Sequence, residues 1–73
     1  MDIANKIGVS IKKARKNKRL TQKQLSEKVD TSRNYISDIE CGRYIPSVVK
    51  LLSISTVLEI DLNIFKNDGN TSV

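Results

Sequence analysis

Several residue types are scarce or absent in this chain of 73 residues. It contains no histidine, no tryptophan and a single cysteine, Cys41. One thiol cannot form an internal disulfide, and without histidine the chain lacks a set of zinc ligands. We also find no nucleophile beside a base, no paired carboxylates on one helix face and no glycine-rich phosphate loop. The sequence therefore predicts a protein that is not an enzyme and needs no metal, cofactor or small-molecule ligand.

Long hydrophobic runs are also missing. No segment approaches the roughly 18 consecutive apolar residues of a membrane-spanning helix. Residues 1–10 lack the apolar centre of a signal peptide. A lone cysteine fits a reducing compartment. We therefore expect a cytoplasmic chain without a membrane partner.

Positive charge is abundant and unevenly distributed. Thirteen lysines and arginines oppose eight aspartates and glutamates, for a formal net charge of +5. Nine of the thirteen cations fall within residues 1–28, and they are densest between Lys12 and Arg19. Alone, such a block fits a solvated helix face as well as a surface that binds a polyanion.

The spacing of apolar residues predicts an all-α fold. Isoleucines at positions 3, 7 and 11 lie on one face of a helix from about residue 2 to residue 18. Two short helices follow between residues 20 and 42, the first capped by Thr21 and the second by Thr31 or Ser32. Only about three residues separate these two helices, which is typical of a helix-turn-helix.

Two further helices complete the predicted bundle. In the fourth, residues at helical spacing are expected to line the core, namely Val48, Leu51, Leu52, Ser55 and Leu58. A short fifth helix is expected from Leu62 to about Lys66, capped by Asp61. Residues 67–73 offer nothing to bury and predict a flexible tail. The chain is thus expected to be one domain over residues 1–66, followed by that tail.

Some apolar residues fall outside the predicted core side of the fourth helix. Ile54 and Val57 point away from that side, and Ile64 and Phe65 follow soon after. Single apolar residues are common on protein surfaces. Their concentration in this part of the chain favours a self-association patch. We therefore expect a dimer interface that contains Ile54, Val57, Ile64 and Phe65.

Three segments carry a pattern that is typical of a known family. They are I-G-V-S-I-K-K-A-R at residues 7–15, L-T-Q-K-Q-L-S-E-K-V at 20–29 and T-S-R-N-Y-I-S-D-I-E at 31–40, with a proline at 46 and leucines at 51, 52 and 58. Together they resemble the phage repressor and Cro class (XRE family) of helix-turn-helix transcriptional regulators. The resemblance runs from about residue 5 to residue 65.

This resemblance implies a fold and a function. The implied fold is a compact, lambda repressor-like bundle of five helices. The implied function is transcriptional regulation by a repressor, a Cro-like protein or a restriction-modification controller. Such a protein binds a pseudo-palindromic operator in double-stranded DNA as a homodimer, with its recognition helix in the major groove.

The resemblance also implies roles for individual positions. The residues expected to face base edges are Ser32, Arg33, Asn34, Ser37 and Asp38. Those expected to contact phosphates are Gln22, Lys23, Tyr35, Arg43, Tyr44 and Lys12. Arg15 and Glu40 are expected to form an ion pair that ties the first helix to the end of the recognition helix.

General chemistry supports these roles and leaves alternatives open. Arginine can bond guanine in a fork, and asparagine can do the same with adenine. Arg33 either reads a base or reaches a phosphate, and Asn34 either reads a base or completes a cap. Asp38 either accepts from cytosine N4 or orients Arg33. Tyr35 either packs its ring inside or lies along the DNA backbone.

Three positions depart from the family pattern. Arg19, Asp30 and Glu59 stand where the family usually has glycine, just past a helix end in the left-handed conformation. Arginine and glutamate disfavour that conformation, so looser turns are expected there.

A competing function is a protein-interaction module. An antitoxin or anti-repressor would use the helix-turn-helix fold mainly to bind a protein partner through apolar surface residues. Salt dependence separates the two functions, because DNA binding weakens steeply as salt rises.

Overall fold

The computed structural model describes residues 2–65. This range contains four α-helices: α1 (Ile3–Asn17), α2 (Gln22–Lys28), α3 (Arg33–Glu40) and α4 (Val48–Leu58). A 3₁₀ helix, Leu62–Phe65, follows α4, and residues 2–65 contain no strand. No helix within that range combines the length and the hydropathy of a membrane span. The all-α prediction is confirmed, and α2 and α3 form the helix-turn-helix.

The predicted count of five helices is wrong. The fifth element is a four-residue 3₁₀ helix rather than an α-helix. Four residues make little more than one turn, and such short segments favour the tighter 3₁₀ hydrogen bonding. Asp61 precedes this turn, and its carboxylate accepts from the Asn63 amide at 2.9 Å. Lys66 and the predicted tail, residues 67–73, lie outside the described residues.

Each α-helix begins at a side chain that accepts a backbone hydrogen bond. In each case the side chain accepts from the backbone amide three residues later, and the four capping residues are Asp2, Thr21, Ser32 and Ser47. At Thr21 the side chain of Gln24 also accepts from the Thr21 amide at 2.8 Å, which completes a capping box. Each cap contributes about 1 kcal/mol. The starts of the helices are therefore encoded by short polar residues.

Each α-helix is followed by a residue in the left-handed backbone conformation. These residues are Arg19 (φ 60°), Asp30 (φ 57°), Gly42 (φ 76°) and Glu59 (φ 59°). After each one, the next amide donates to the carbonyl five residues earlier, at 2.9 to 3.1 Å. The expectation of looser turns at the three non-glycine positions is wrong. Leu20 and Ile60, which follow two of these residues, pack against the core and help to offset a cost of about 1–2 kcal/mol per turn.

The core is formed by apolar side chains from all four α-helices. Its buried members are Ile7, Ile11, Leu25, Val29, Ile36, Ile39, Ile54 and Leu58. Helix α1 packs against both α3 and α4, and α2 packs against α3. The helix-turn-helix therefore rests on α1, with α4 closing the other side of the core.

The buried side of α4 differs from the prediction. Ile54 is fully buried, whereas Val48 is 74% exposed and Leu52 is 48% exposed. Both the predicted and the observed sets have three- and four-residue spacing, because apolar residues occur on every side of this helix. The assignment of Ile54 to a dimer interface is therefore wrong, since its side chain belongs to the core.

Helix α1 and the end of α3 approach closely at Gly8. A Cβ atom at this position would lie 2.4 Å from the carbonyl oxygen of Ile39 and 2.8 Å from that of Glu40. Both distances are too short for van der Waals contact, and both neighbours are backbone atoms. Gly8 therefore sets the spacing between α1 and α3.

We expect Gly8→Ala to destabilise the protein, although alanine is the better helix former by about 1 kcal/mol. The added methyl group would push α1 away from α3, and overpacking of this kind costs roughly 1–3 kcal/mol. Val9→Ala is the matched control, because Val9 is the next residue of α1 and is 57% exposed. Urea unfolding measures both variants. A Gly8→Ala protein at least as stable as the wild type would contradict this account.

Candidate nucleic-acid interface

The outer side of α3 carries the residues that the sequence assigns to base contacts. Arg33 and Asn34 lie in its first turn and are exposed, and Ser37 and Asp38 lie one turn later and are half-buried. The Ser32 hydroxyl accepts from an amide of the first turn at 3.0 Å, and its own proton is left to donate. The opposite side of α3 is buried in the core. The structure thus brings all five residues together in one outward-facing polar row.

A buried ion pair joins α1 to the end of α3, as the resemblance implies. Arg15 Nε donates to Glu40 Oε2 at 2.7 Å and Arg15 Nη2 donates to Glu40 Oε1 at 3.1 Å. The two side chains are only 9% and 2% exposed. Arg15 Nη1 also donates to the Leu20 carbonyl at 2.7 Å, in the turn between α1 and α2. These bonds fix the end of α3 against α1 and the turn between α1 and α2.

Gln22 extends this network to the start of α2. Its side-chain Nε2 donates to Glu40 Oε1 at 3.1 Å. The side-chain amide nitrogen of glutamine carries two hydrogens, so one is left for another acceptor. Gln22 is half-buried and stands at the first position of α2. It therefore connects a surface position to the buried ion pair.

Asp38 is paired with a residue that follows the helix. Arg43 Nη1 donates to Asp38 Oδ1 at 2.5 Å, and the two side chains are 63% and 34% exposed. The alternative in which Asp38 orients Arg33 is therefore not what the structure shows. This contact brings a predicted base-reading residue and a predicted phosphate contact into one pair.

Tyr35 and Tyr44 form an aromatic pair beside Asp38. Their ring centroids are 5.7 Å apart, with an angle of 53° between the planes. Tyr35 is partly buried against the core, whereas Tyr44 is 40% exposed. Desolvation raises the pKa of the Tyr44 hydroxyl, and the negative charge of Asp38 adds to the effect. A tyrosine hydroxyl is already protonated at neutral pH, so that of Tyr44 is able to donate.

The remaining predicted site residues are less closely gathered. Lys12 is exposed on α1, and Lys23 is exposed on α2 with its ammonium 3.4 Å from the Glu27 carboxylate. Val57 is half-buried against the core. Ile64 and Phe65 lie in the 3₁₀ helix. Within residues 2–65, the acidic and cysteine side chains form no group of three that could hold a metal ion.

Sequence reasoning missed the role of Lys50. Its ammonium donates to the carbonyl oxygens of Val29 and Asp30 at 2.8 and 2.9 Å, at the end of α2. Lysine favours such a position because the carbonyls at a helix end carry partial negative charge. Backbone acceptors leave no mark in the sequence, so no motif could have identified this contact. Lys50 therefore ties α4 to the helix-turn-helix.

Comparison with known proteins finds similar chains. The family described as Helix-turn-helix matches residues 11–65. The ImmF control region 10 kDa protein of Bacillus phage phi105 is 44% identical over 61 residues, which cover 84% of this chain and 68% of that protein. The immunity repressor protein of the same phage is 44% identical over 57 residues, which cover 78% of this chain but only 40% of the repressor.

A solved structure is also similar. The clp gene regulator ClgR from Corynebacterium glutamicum superposes with a TM-score of 0.82 and 25% identity. The match covers 89% of this chain and 69% of that one. The names of ClgR and of the phage immunity repressor describe a gene regulator and a repressor.

We expect the stability losses from the two single substitutions in the buried ion pair not to add in the double variant. Arg15→Met or Glu40→Leu leaves one buried charge unpaired, at a cost of about 3–5 kcal/mol. The double variant leaves no unpaired charge, so its loss should be smaller than the sum of the single losses. Glu27→Gln, at the exposed Lys23 pair, is the control and should cost less than about 1 kcal/mol. Strictly additive losses in thermal unfolding would rule out the coupling.

Proposed function

Because this chain belongs to the helix-turn-helix family of phage repressor and Cro-type transcription regulators, we propose that it binds operator DNA as a homodimer. Two copies of α3 would enter successive major grooves on one face of the duplex, roughly 34 Å apart. The operator would then be pseudo-palindromic. The site of action is the cytoplasm, on DNA of the nucleoid.

The polar row on the outer side of α3 is the observation that supports this function. Arg33 and Asn34 are exposed in the first turn, where side chains of a recognition helix reach base edges. Arginine suits guanine O6 and N7, and asparagine suits adenine N6 and N7, each with roughly 1–3 kcal/mol of discrimination. Base contacts are therefore assigned to Ser32, Arg33, Asn34, Ser37 and Asp38.

Phosphate contacts would flank this row on both sides. Gln22 and Lys23 stand at the start of α2, and Tyr44 follows α3 with a hydroxyl that can donate. The free amide hydrogen of Gln22 can reach a phosphate while the other stays on Glu40. A phosphate bound there would contact the network that fixes α3. The complete proposed set is Gln22, Lys23, Tyr35, Arg43, Tyr44 and Lys12.

The homodimer interface is placed on the exposed side of α4. Val48, Val49 and Leu52 are 74%, 72% and 48% exposed and lie within the first five residues of that helix. Exposed apolar residues grouped in this way favour a protein contact. Val57, Ile64 and Phe65 remain proposed members of the interface.

A second candidate function rests on the same apolar residues. An exposed row on α4 would suit a different protein as well as a second copy, as in an antitoxin or anti-repressor. The two functions differ in their dependence on salt. Binding of random-sequence duplex DNA should weaken as a steep power of salt concentration if phosphates are contacted. A flat response together with a stable complex with another protein would favour the second function.

We expect Arg33→Ala to weaken binding to the preferred site much more than to random DNA. The loss of a forked guanine contact costs roughly 1–3 kcal/mol, which is about a five- to 150-fold change at the preferred site alone. The preferred site is obtained by selection from a random duplex library, and affinities are measured by fluorescence anisotropy. Lys23→Ala is the comparison variant and should weaken binding to the preferred site and to random DNA by the same factor. An equal loss on both DNAs for Arg33→Ala would make Arg33 a phosphate contact.

We expect Leu52→Asp to shift the protein from dimer to monomer and to lower its operator affinity. A carboxylate on the exposed side of α4 would have to be desolvated in the interface. Because Leu52 is 48% exposed, the monomer should remain folded. Val9→Asp, on the exposed side of α1, is the control. Sedimentation that shows an unchanged dimer would exclude this side of α4 as the interface.

A further inference from the structure

Asp38 places a negative charge on the side of α3 that is proposed to face DNA. A free carboxylate there would be repelled by the phosphates of any duplex. The structure gives it a counter-charge, because Arg43 Nη1 lies 2.5 Å from Asp38 Oδ1. The Asp38 side chain is 34% exposed and that of Arg43 is 63% exposed, so solvent and ligands can reach the pair.

The backbone holds the two residues of this pair in place. The Arg43 amide donates to the Asp38 carbonyl at 3.0 Å, so backbone and side chain of Arg43 bind the same residue. Gly42 lies between α3 and Arg43 with φ 76°, and a Cβ there would be 2.4 Å from the Asn5 Oδ1 atom. Position 42 therefore favours glycine, and the turn that it forms returns Arg43 toward α3.

Arg43 remains charged in this arrangement. The hydrogen bond that Arg43 donates to Asp38, together with the negative charge of that carboxylate, raises the pKa of the Arg43 guanidinium. A guanidinium has five N–H donors, of which the carboxylate uses one here. The pair as a whole is neutral, however, so it adds little to the attraction between the protein and a duplex.

We propose that Asp38 and Arg43 form a neutral unit that lowers affinity for random DNA and opens at the preferred site. This inference depends on the proposed insertion of α3 into the major groove. A base amino group such as cytosine N4 can donate to the carboxylate in place of Arg43. The positive charge of Arg43 is then no longer offset by Asp38, and Arg43 can bind a phosphate with that full charge. Where no base donates to Asp38, the pair stays closed and that phosphate contact is weakened.

The test is a cycle of Asp38→Asn, Arg43→Gln and the double variant on random-sequence duplex DNA. Asp38→Asn should raise affinity roughly three- to tenfold and steepen the salt slope by about 0.9, because Arg43 gains one full phosphate contact. In the Arg43→Gln background, Asp38→Asn should leave the slope unchanged. Thermal unfolding should show little change in any variant, because exposed ion pairs contribute at most about 1 kcal/mol.

Glu59→Gln is the matched control for net charge. Glu59 pairs with Lys18 at 2.8 Å beyond the end of α1, whereas Asn5 contacts the Gly42 turn near the start of α1. The two ends of this helix are separated by roughly 20 Å at 1.5 Å per residue. Glu59→Gln removes the same charge as Asp38→Asn and should leave the salt slope unchanged.

Selection from a random duplex library gives a second measure. Sites selected by the wild-type protein should prefer one base pair that presents an amino donor to Asp38. Asp38→Ala, which leaves no acceptor at this position, should lose that preference. An unchanged salt slope for Asp38→Asn, or the same change in the Arg43→Gln background or in Glu59→Gln, would overturn the inference. If neither the wild-type protein nor any variant shows salt-dependent DNA binding, the proposed function itself fails. If DNA binding depends on salt but Asp38→Asn does not change it, only the inference about the neutral unit is rejected.

Discussion

The placement of α3 depends on the buried ion pair between Arg15 and Glu40. Two buried charges are tolerated only when their geometry and hydrogen bonding are nearly complete. Arg15 meets this condition by bonding both carboxylate oxygens of Glu40 and the Leu20 carbonyl. Gln22 adds a further donor. Small rotations of α3 about its axis would break several of these bonds at once, so the charge network fixes which side chains face outward.

Local signals in the sequence predict much of this architecture. Short polar residues mark the starts of the helices, and regular apolar spacing identifies the buried sides of α1, α2 and α3. The signal fails at α4, where Ile54 and Leu52 both have suitable spacing and only packing against α1 decides which is buried. It also fails at the left-handed turns, because composition predicts their cost but not the hydrogen bonds that offset it.

The candidate site is predictable in outline but not in its contacts. The polar row of α3 follows from helical spacing, and the Arg15 partner follows from the family resemblance. The partner of Asp38 does not, because the turn at Gly42 brings Arg43 back over the helix. Gly8 and Lys50 are further examples. Their roles depend on backbone carbonyl atoms, which every residue possesses and which therefore leave no pattern to find.

The left-handed turns distribute backbone strain unevenly along the chain. Among the described α-helices, α1, α2 and α4 are followed by residues with side chains at positive φ, and α3 is followed by Gly42. Opening a turn relieves backbone strain at Arg19 and Glu59, whereas opening at Gly42 relieves none. The strain from side chains at positive φ is therefore least in the turn that follows α3. The helix that carries the exposed polar row is thus also the one whose C-terminal turn holds no side chain at positive φ.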